Sequence, residues 1–191
     1  MRSILVVVAL AVPAGAAPGV RITTTDTSIT EGETVVAGDP AEIYAAVLDY
    51  SRWTDIFPDV AKVVVTSRSG PDARVTLIGP DGHRDNLHFK NQPQARMVFF
   101  EDTGNSHAEV WAEIVFAPGA DPGTTRVHTR LYAAVSGLAS LVVGEAELRQ
   151  LREAKIERQL THIRVLPAAR QRHFRALIRA ADINGDLSPS S

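Results

Sequence analysis

The stretch Arg84-Asp85-Asn86-Leu87-His88 carries the residue types best suited to acid–base chemistry. In an extended segment Asp85 shares a face with Leu87 and Phe89, so it is expected to point inward, beside Phe100 of the next strand. A carboxyl held in apolar surroundings keeps its proton to higher pH, which is what a general acid requires. Asp85 is therefore the one candidate catalytic residue. Arg96 falls on the same face by alternation and offers the structural alternative, a plain ion pair.

Other chemistries find less support. The histidines at 83, 88, 107, 128, 162 and 173 form neither a His-Glu-x-x-His pattern nor a His-x-His pair, so their spacing predicts no zinc site. Asp182-Ile183-Asn184-Gly185-Asp186 opens like a calcium loop, but Leu187 stands at the sixth position, where the loop needs glycine to turn. There is no Gly-x-Ser-x-Gly elbow, no phosphate loop and no Gly-x-Gly-x-x-Gly turn. Neither a metal nor a cofactor is expected.

The elements that must position any site follow from composition and pattern. The 191 residues, 45% of them hydrophobic, suit one domain with extensions, and a formal charge of −2 gives nucleic acid no general attraction. Residues 1–16 read as a signal peptide: Arg2, an apolar run from Ile4 to Val12, then small residues at Ala14-Gly15-Ala16. The alternative for the same residues is a buried first strand. The mature chain is thus expected to begin near Ala17 and to be secreted or periplasmic. It has no cysteine, so its stability must come from a hydrophobic core.

Residues 17–30 are polar and threonine-rich, an extended lead-in. Glu33–Ala37 reads as the first strand. Asp39 is placed to cap a helix with Pro40 at its first position, and Ile43, Ala46, Val47 and Tyr50 repeat at helical spacing. Ser51–Phe57 reads as a second short helix or turn. The period then changes to two, predicting strands over Val60–Ser67, Ala73–Ile78, Arg84–Lys90, Arg96–Asp102, His107–Ala117 and Thr125–Ala134, joined by short hairpin turns. Pairing Glu113 with Arg126 sets Glu109 opposite Arg130 and leaves Val110, Ala112, Ile114, Phe116, Val127, Thr129 and Leu131 on the inner face. Leu138–Val165 reads as one long helix with Leu141, Leu148, Leu151, Ile156, Leu160 and Ile163 inward. Pro167 is expected to end it, with a second helical piece over Ala168–Ala181 and a tail beyond 182. Residues 17–148 hold ten Lys/Arg and eighteen Asp/Glu, whereas 149–181 hold nine Lys/Arg and two Glu. Such a basic segment suits peripheral contact with an anionic membrane; the alternative is a solvated face complementing an acidic body.

This order of elements, and the segment Val47–Val65 (VLDYSRWTDIFPDVAKVVV), resemble the START/polyketide-cyclase superfamily, the SRPBCC proteins, nearest the coenzyme Q-binding and cyclase/dehydrase branch. The resemblance covers about residues 31–166. It implies an α+β helix-grip fold: a seven-stranded curved antiparallel sheet around a long C-terminal helix, with two short helices after the first strand. It also implies a small hydrophobic molecule held between sheet and helix. Trp53 and Phe57 then close one end of the cavity, with packing under the helix as the alternative, and Leu87, Phe89, Val98, Phe100, Val110 and Leu148 line it. An exported carrier of a lipid, isoprenoid or similar molecule is the reading preferred; a cyclase/dehydrase enzyme in the same cavity is the alternative.

Overall fold

A computed structural model of the chain describes residues 19–24, 28–57, 59–104, 108–136 and 143–184. The expected signal peptide, His107, Leu138, Leu141 and the tail beyond 184 lie outside these residues.

Eight strands form one antiparallel sheet: β1 (Val20–Thr24), β2 (Ile29–Ala37), β3 (Lys62–Ser69), β4 (Asp72–Ile78), β5 (Arg84–Gln92), β6 (Met97–Asp102), β7 (Ala108–Pro118) and β8 (Thr124–Val135). Their order across the sheet is β1-β2-β8-β7-β6-β5-β4-β3. Consecutive strands from β3 to β8 are neighbours, and β2 closes against β8. Helix α1 (Pro40–Val47), a 3₁₀ turn (Tyr50–Arg52) and helix α2 (Trp53–Ile56) separate β2 from β3, and helix α3 (Glu145–Asn184) follows the sheet.

Local chemistry sets the entry. Gly38, at φ 130°, makes a bend that a side chain would strain; its amide bonds Gly123 O at 2.8 Å, and its carbonyl accepts from Thr125 Oγ1 at 2.7 Å. Asp39 then caps α1, accepting from the Ala41 amide at 2.7 Å, with Pro40 in the first turn. At the other end of α1 the Trp53 indole donates to Val47 O at 2.9 Å, satisfying a carbonyl the helix leaves unpaired.

Helix α3 packs chiefly on β2, and also on β8 and β1. Up to Leu166, its buried residues are Arg152, Ile156, Leu160, Ile163 and Leu166. The closeness of this contact depends on Gly32 of β2: a Cβ there would collide with Ile156 Cγ2 and come within 2.9 Å of Leu160 Cδ1. Arg152 is fully buried, yet its guanidinium is satisfied by Thr30 Oγ1 at 3.2 Å, Ala133 O at 3.1 Å and Glu145 Oε1 at 2.9 Å.

Four expectations need correction. The sheet has eight strands, not seven, because residues 20–24 of the lead-in pair with β2, Ile22 opposite Gly32. Edge pairing is decided by the neighbouring strand, a tertiary effect that local pattern does not carry. The β7–β8 register differs by four residues: Glu113 faces Arg130 and Trp111 faces Tyr132. An even displacement preserves the faces, so the expected inner residues do point inward. Helix α3 begins at Glu145 and continues through Pro167 to Asn184; proline removes one bond in a helix without obliging it to stop. Finally, Leu151 is 52% exposed, and Arg152 takes the inward position.

Candidate functional site

The concave face of the sheet divides into a sealed centre and an accessible end. At the centre, Phe89 and Val98 expose no surface. Phe89 is wedged among Tyr50, Trp53 and Phe100, with ring centroids 4.8, 5.7 and 5.2 Å away. Such edge and tilted contacts are the favoured geometry of aromatic packing. These rings come from the turn and α2 on one side and from β5 and β6 on the other, which is why the 3₁₀ turn and α2 fold down onto the sheet.

Toward the end where β3, β5 and β7 start, burial loosens. Leu87 and Phe100 are each 8% exposed, and Val63, Leu77 and Val110 pack against the core while remaining only partly buried. Val63 faces Leu77 directly in the β3–β4 pair, so they form one apolar surface. Among the described residues, α3 lies over β1, β2 and β8, whereas α2 packs on β3. Phe57, partly buried against the core, lies 5.1 Å from Trp53 and edge-on to His162 of α3 at 5.0 Å. Leu148, half-buried, sits one helical turn before Arg152 on the same stripe of α3.

The ring of His162 joins Phe57 to α3. Its Nδ1 is buried with no hydrogen-bond partner among the described residues. Burial holds its pKa below the ordinary histidine range; Asp59 pushes the other way, and Arg158 adds to the lowering. Arg158 and Asp59 are themselves paired at 2.9 Å, joining α3 to the segment between α2 and β3.

Of the residues expected at the site, Leu87, Phe89, Val98, Phe100 and Val110 do lie on the concave face. Phe89 and Val98 belong to its sealed centre; Leu87, Phe100 and Val110 border the looser end. Trp53 is buried and hydrogen-bonded, a packing residue. Asp85 keeps the expected concave face, paired with Leu77, but not the expected neighbour: Phe100 pairs with Phe89. Its side chain is 41% exposed and meets His83 Nε2 at 3.0 Å. Arg96 is no partner for it, closing the β5–β6 hairpin at the far end of the strand in a left-handed conformation, φ 46°. In α3, Arg149 and Arg158 pair with Glu153 and Asp59, and Arg152 with Glu145. These three cations of the basic segment are thus engaged within the molecule. Among the described residues, no helix is long and apolar enough to cross a membrane.

No family model matches the chain, and no curated protein matches it in sequence. Solved structures do match in shape. A protein of Thermus thermophilus is 15% identical, with 74% of this chain and 98% of that one covered at a TM-score of 0.61. The Zhui aromatase/cyclase of a Streptomyces species is 17% identical, with 80% and 95% covered at 0.59. A START superfamily protein of Mycobacterium smegmatis is 15% identical, with 77% and 99% covered at 0.56. The chain has the START-like (SRPBCC) fold.

Proposed function

We propose that the protein binds a small hydrophobic molecule, such as a lipid or an isoprenoid, under α2 and the start of α3, and that it does so as an exported carrier. The observation that carries this reading is the apolar surface of Val63, Leu77, Leu87, Phe100 and Val110. It is left incompletely buried beside a centre that is packed shut. A core with no ligand to accommodate would close at both ends, since interiors pack as densely as organic crystals. Likeness to START and aromatase/cyclase structures supports a hydrophobic ligand for this fold. The export half of the proposal rests on the pattern of residues 1–16.

Transfer from water drives the binding. A ligand losing about 300 Å² of apolar surface gains on the order of 7 kcal/mol before the costs of association. The test is a fluorescence titration of the full chain with the uncharged probe N-phenyl-1-naphthylamine, followed by displacement with fatty acids, sterols and quinones. One saturable site is expected, weakened about tenfold or more in Val110→Arg while the circular dichroism spectrum is unchanged. Absence of saturable binding, or equal binding by that variant, contradicts the proposal.

A further inference from the structure

A second cleft lies at the opposite end of the sheet, beyond the Tyr50–Phe89 seal. It encloses about 580 Å³ and is walled by α1, the β3–β4 turn and the β5–β6 hairpin, including Tyr44, Leu48, Arg68, Pro71, Asn91 and Pro93. That volume lies within the range of small-molecule sites.

Two buried polar atoms of its lining residues have no partner among the described residues. Tyr44 is 8% exposed, and its hydroxyl has no hydrogen-bond partner among the described residues. The Asn91 carboxamide is held through Nδ2, which donates to Pro71 O at 2.8 Å and to Tyr50 Oη at 3.4 Å, while Oδ1 is buried with no partner among the described residues. Leaving two such atoms unsatisfied is costly, and buried polar groups in folded proteins are rarely left so. The third group is Arg68, 6.0 Å above the Tyr50 ring and without a carboxylate partner among the described residues. Among the described residues no acidic side chain lines the cleft, and Arg68 is the one formal charge there. Burial pushes the Tyr44 and Tyr50 phenols up from their ordinary range, keeping both protonated and able to donate.

We infer that this cleft is a binding site for a small carboxylate that also carries a hydroxyl group. The carboxylate pairs with Arg68, the ligand hydroxyl donates to Asn91 Oδ1, and Tyr44 donates to the ligand. Leu48, Pro71 and Pro93 supply apolar walls for its carbon frame. The site is separated from the apolar end by Phe89 and stands or falls independently of it.

The experiment uses the full chain and the three hydroxybenzoate isomers, with benzoate and phenol as controls, read by amide chemical shifts. At least one isomer is expected to give saturable shifts at residues 68–71 and 91–95. It should bind about tenfold more tightly than benzoate, which lacks the donor, and than phenol, which lacks the anion. Arg68→Gln should weaken that isomer about tenfold. Tyr44→Phe distinguishes a waiting hydroxyl from a structural one: it should weaken the ligand while leaving the urea midpoint of the free protein unchanged or raised. No saturable shifts from any isomer, equal affinity for the controls, or a lowered midpoint in Tyr44→Phe would overturn the inference. Binding confined to residues 63, 77, 87 and 110 would overturn it too, while leaving the apolar site intact.

Discussion

Replacing Gly32 by alanine adds one methyl group at the tightest contact between α3 and the sheet. That methyl would overlap Ile156 Cγ2 and sit 2.9 Å from Leu160 Cδ1, where ordinary contacts begin at 3.4 Å. Neither side chain can swing clear: both are wholly buried, and Ile156 is branched at the carbon next to the backbone. The helix must therefore lift from β2, or both rotamers must strain. Overpacking of this kind costs about 1–3 kcal/mol, or roughly 2–10 °C in melting temperature for a domain of this size. The assay is urea unfolding, with unchanged slope marking an intact two-state transition. A double-mutant cycle makes the test specific. Ile156→Ala alone should cost about 2–5 kcal/mol by leaving a cavity. Combined with Gly32→Ala, whose methyl enters the vacated space, the loss should fall short of the sum by about 1 kcal/mol or more. A Gly32→Ala protein of unchanged stability, or strict additivity in the cycle, would refute the close approach of α3 to β2.

Two further stability measurements follow from the same region. Arg152→Ala should lose about 2–5 kcal/mol, since it opens a cavity and strands the acceptors at Thr30 and Ala133. Arg152→Met, which fills the space without a charge, should cost much less because Glu145 is half in solvent; equal damage by both would contradict this. His162 releases its proton more readily in the folded protein than in the unfolded chain, so the stability it confers is complete above pH 6.5, declines as pH falls below that value, and levels off beneath its native pKa. Urea midpoints between pH 5 and 7.5 should show a shallower decline in His162→Leu than in the parent protein, and an identical slope would remove His162 from the pH response.

Much of the fold is legible in short-range signals. The cap at Asp39, the six hairpin-linked strands and the inner face of β7 and β8 follow from residue type and period alone, and all are present. What escapes is set by the partner element. Whether 20–24 becomes a strand depends on the free edge of β2, and whether Pro167 ends a helix depends on context beyond its own ring. Opposite charge fits Glu113 to Arg126, but Arg130 satisfies the same rule four residues on, and the stack of Trp111 on Tyr132, 5.4 Å apart, accompanies that register. At the site, alternation places Leu87, Phe89, Val98, Phe100 and Val110 on the concave face but cannot rank their burial, which depends on where the aromatic rings of the 3₁₀ turn and α2 come down. Asp85 departs from its expected neighbour because the β5–β6 register sets Phe100 opposite Phe89 and Asp102 opposite Leu87. Tyr44, Arg68 and Asn91 give no signal, since three elements far apart in the chain bring them together.

The most direct test of ligand binding is where a bound apolar molecule touches the protein. In a complex of methyl-labelled full chain with a fatty acid or quinone, intermolecular nuclear Overhauser effects should fall on Val63, Leu77, Leu87 and Val110. Contacts only on the convex face or beside Tyr44, or no contacts at saturating ligand, would contradict the account.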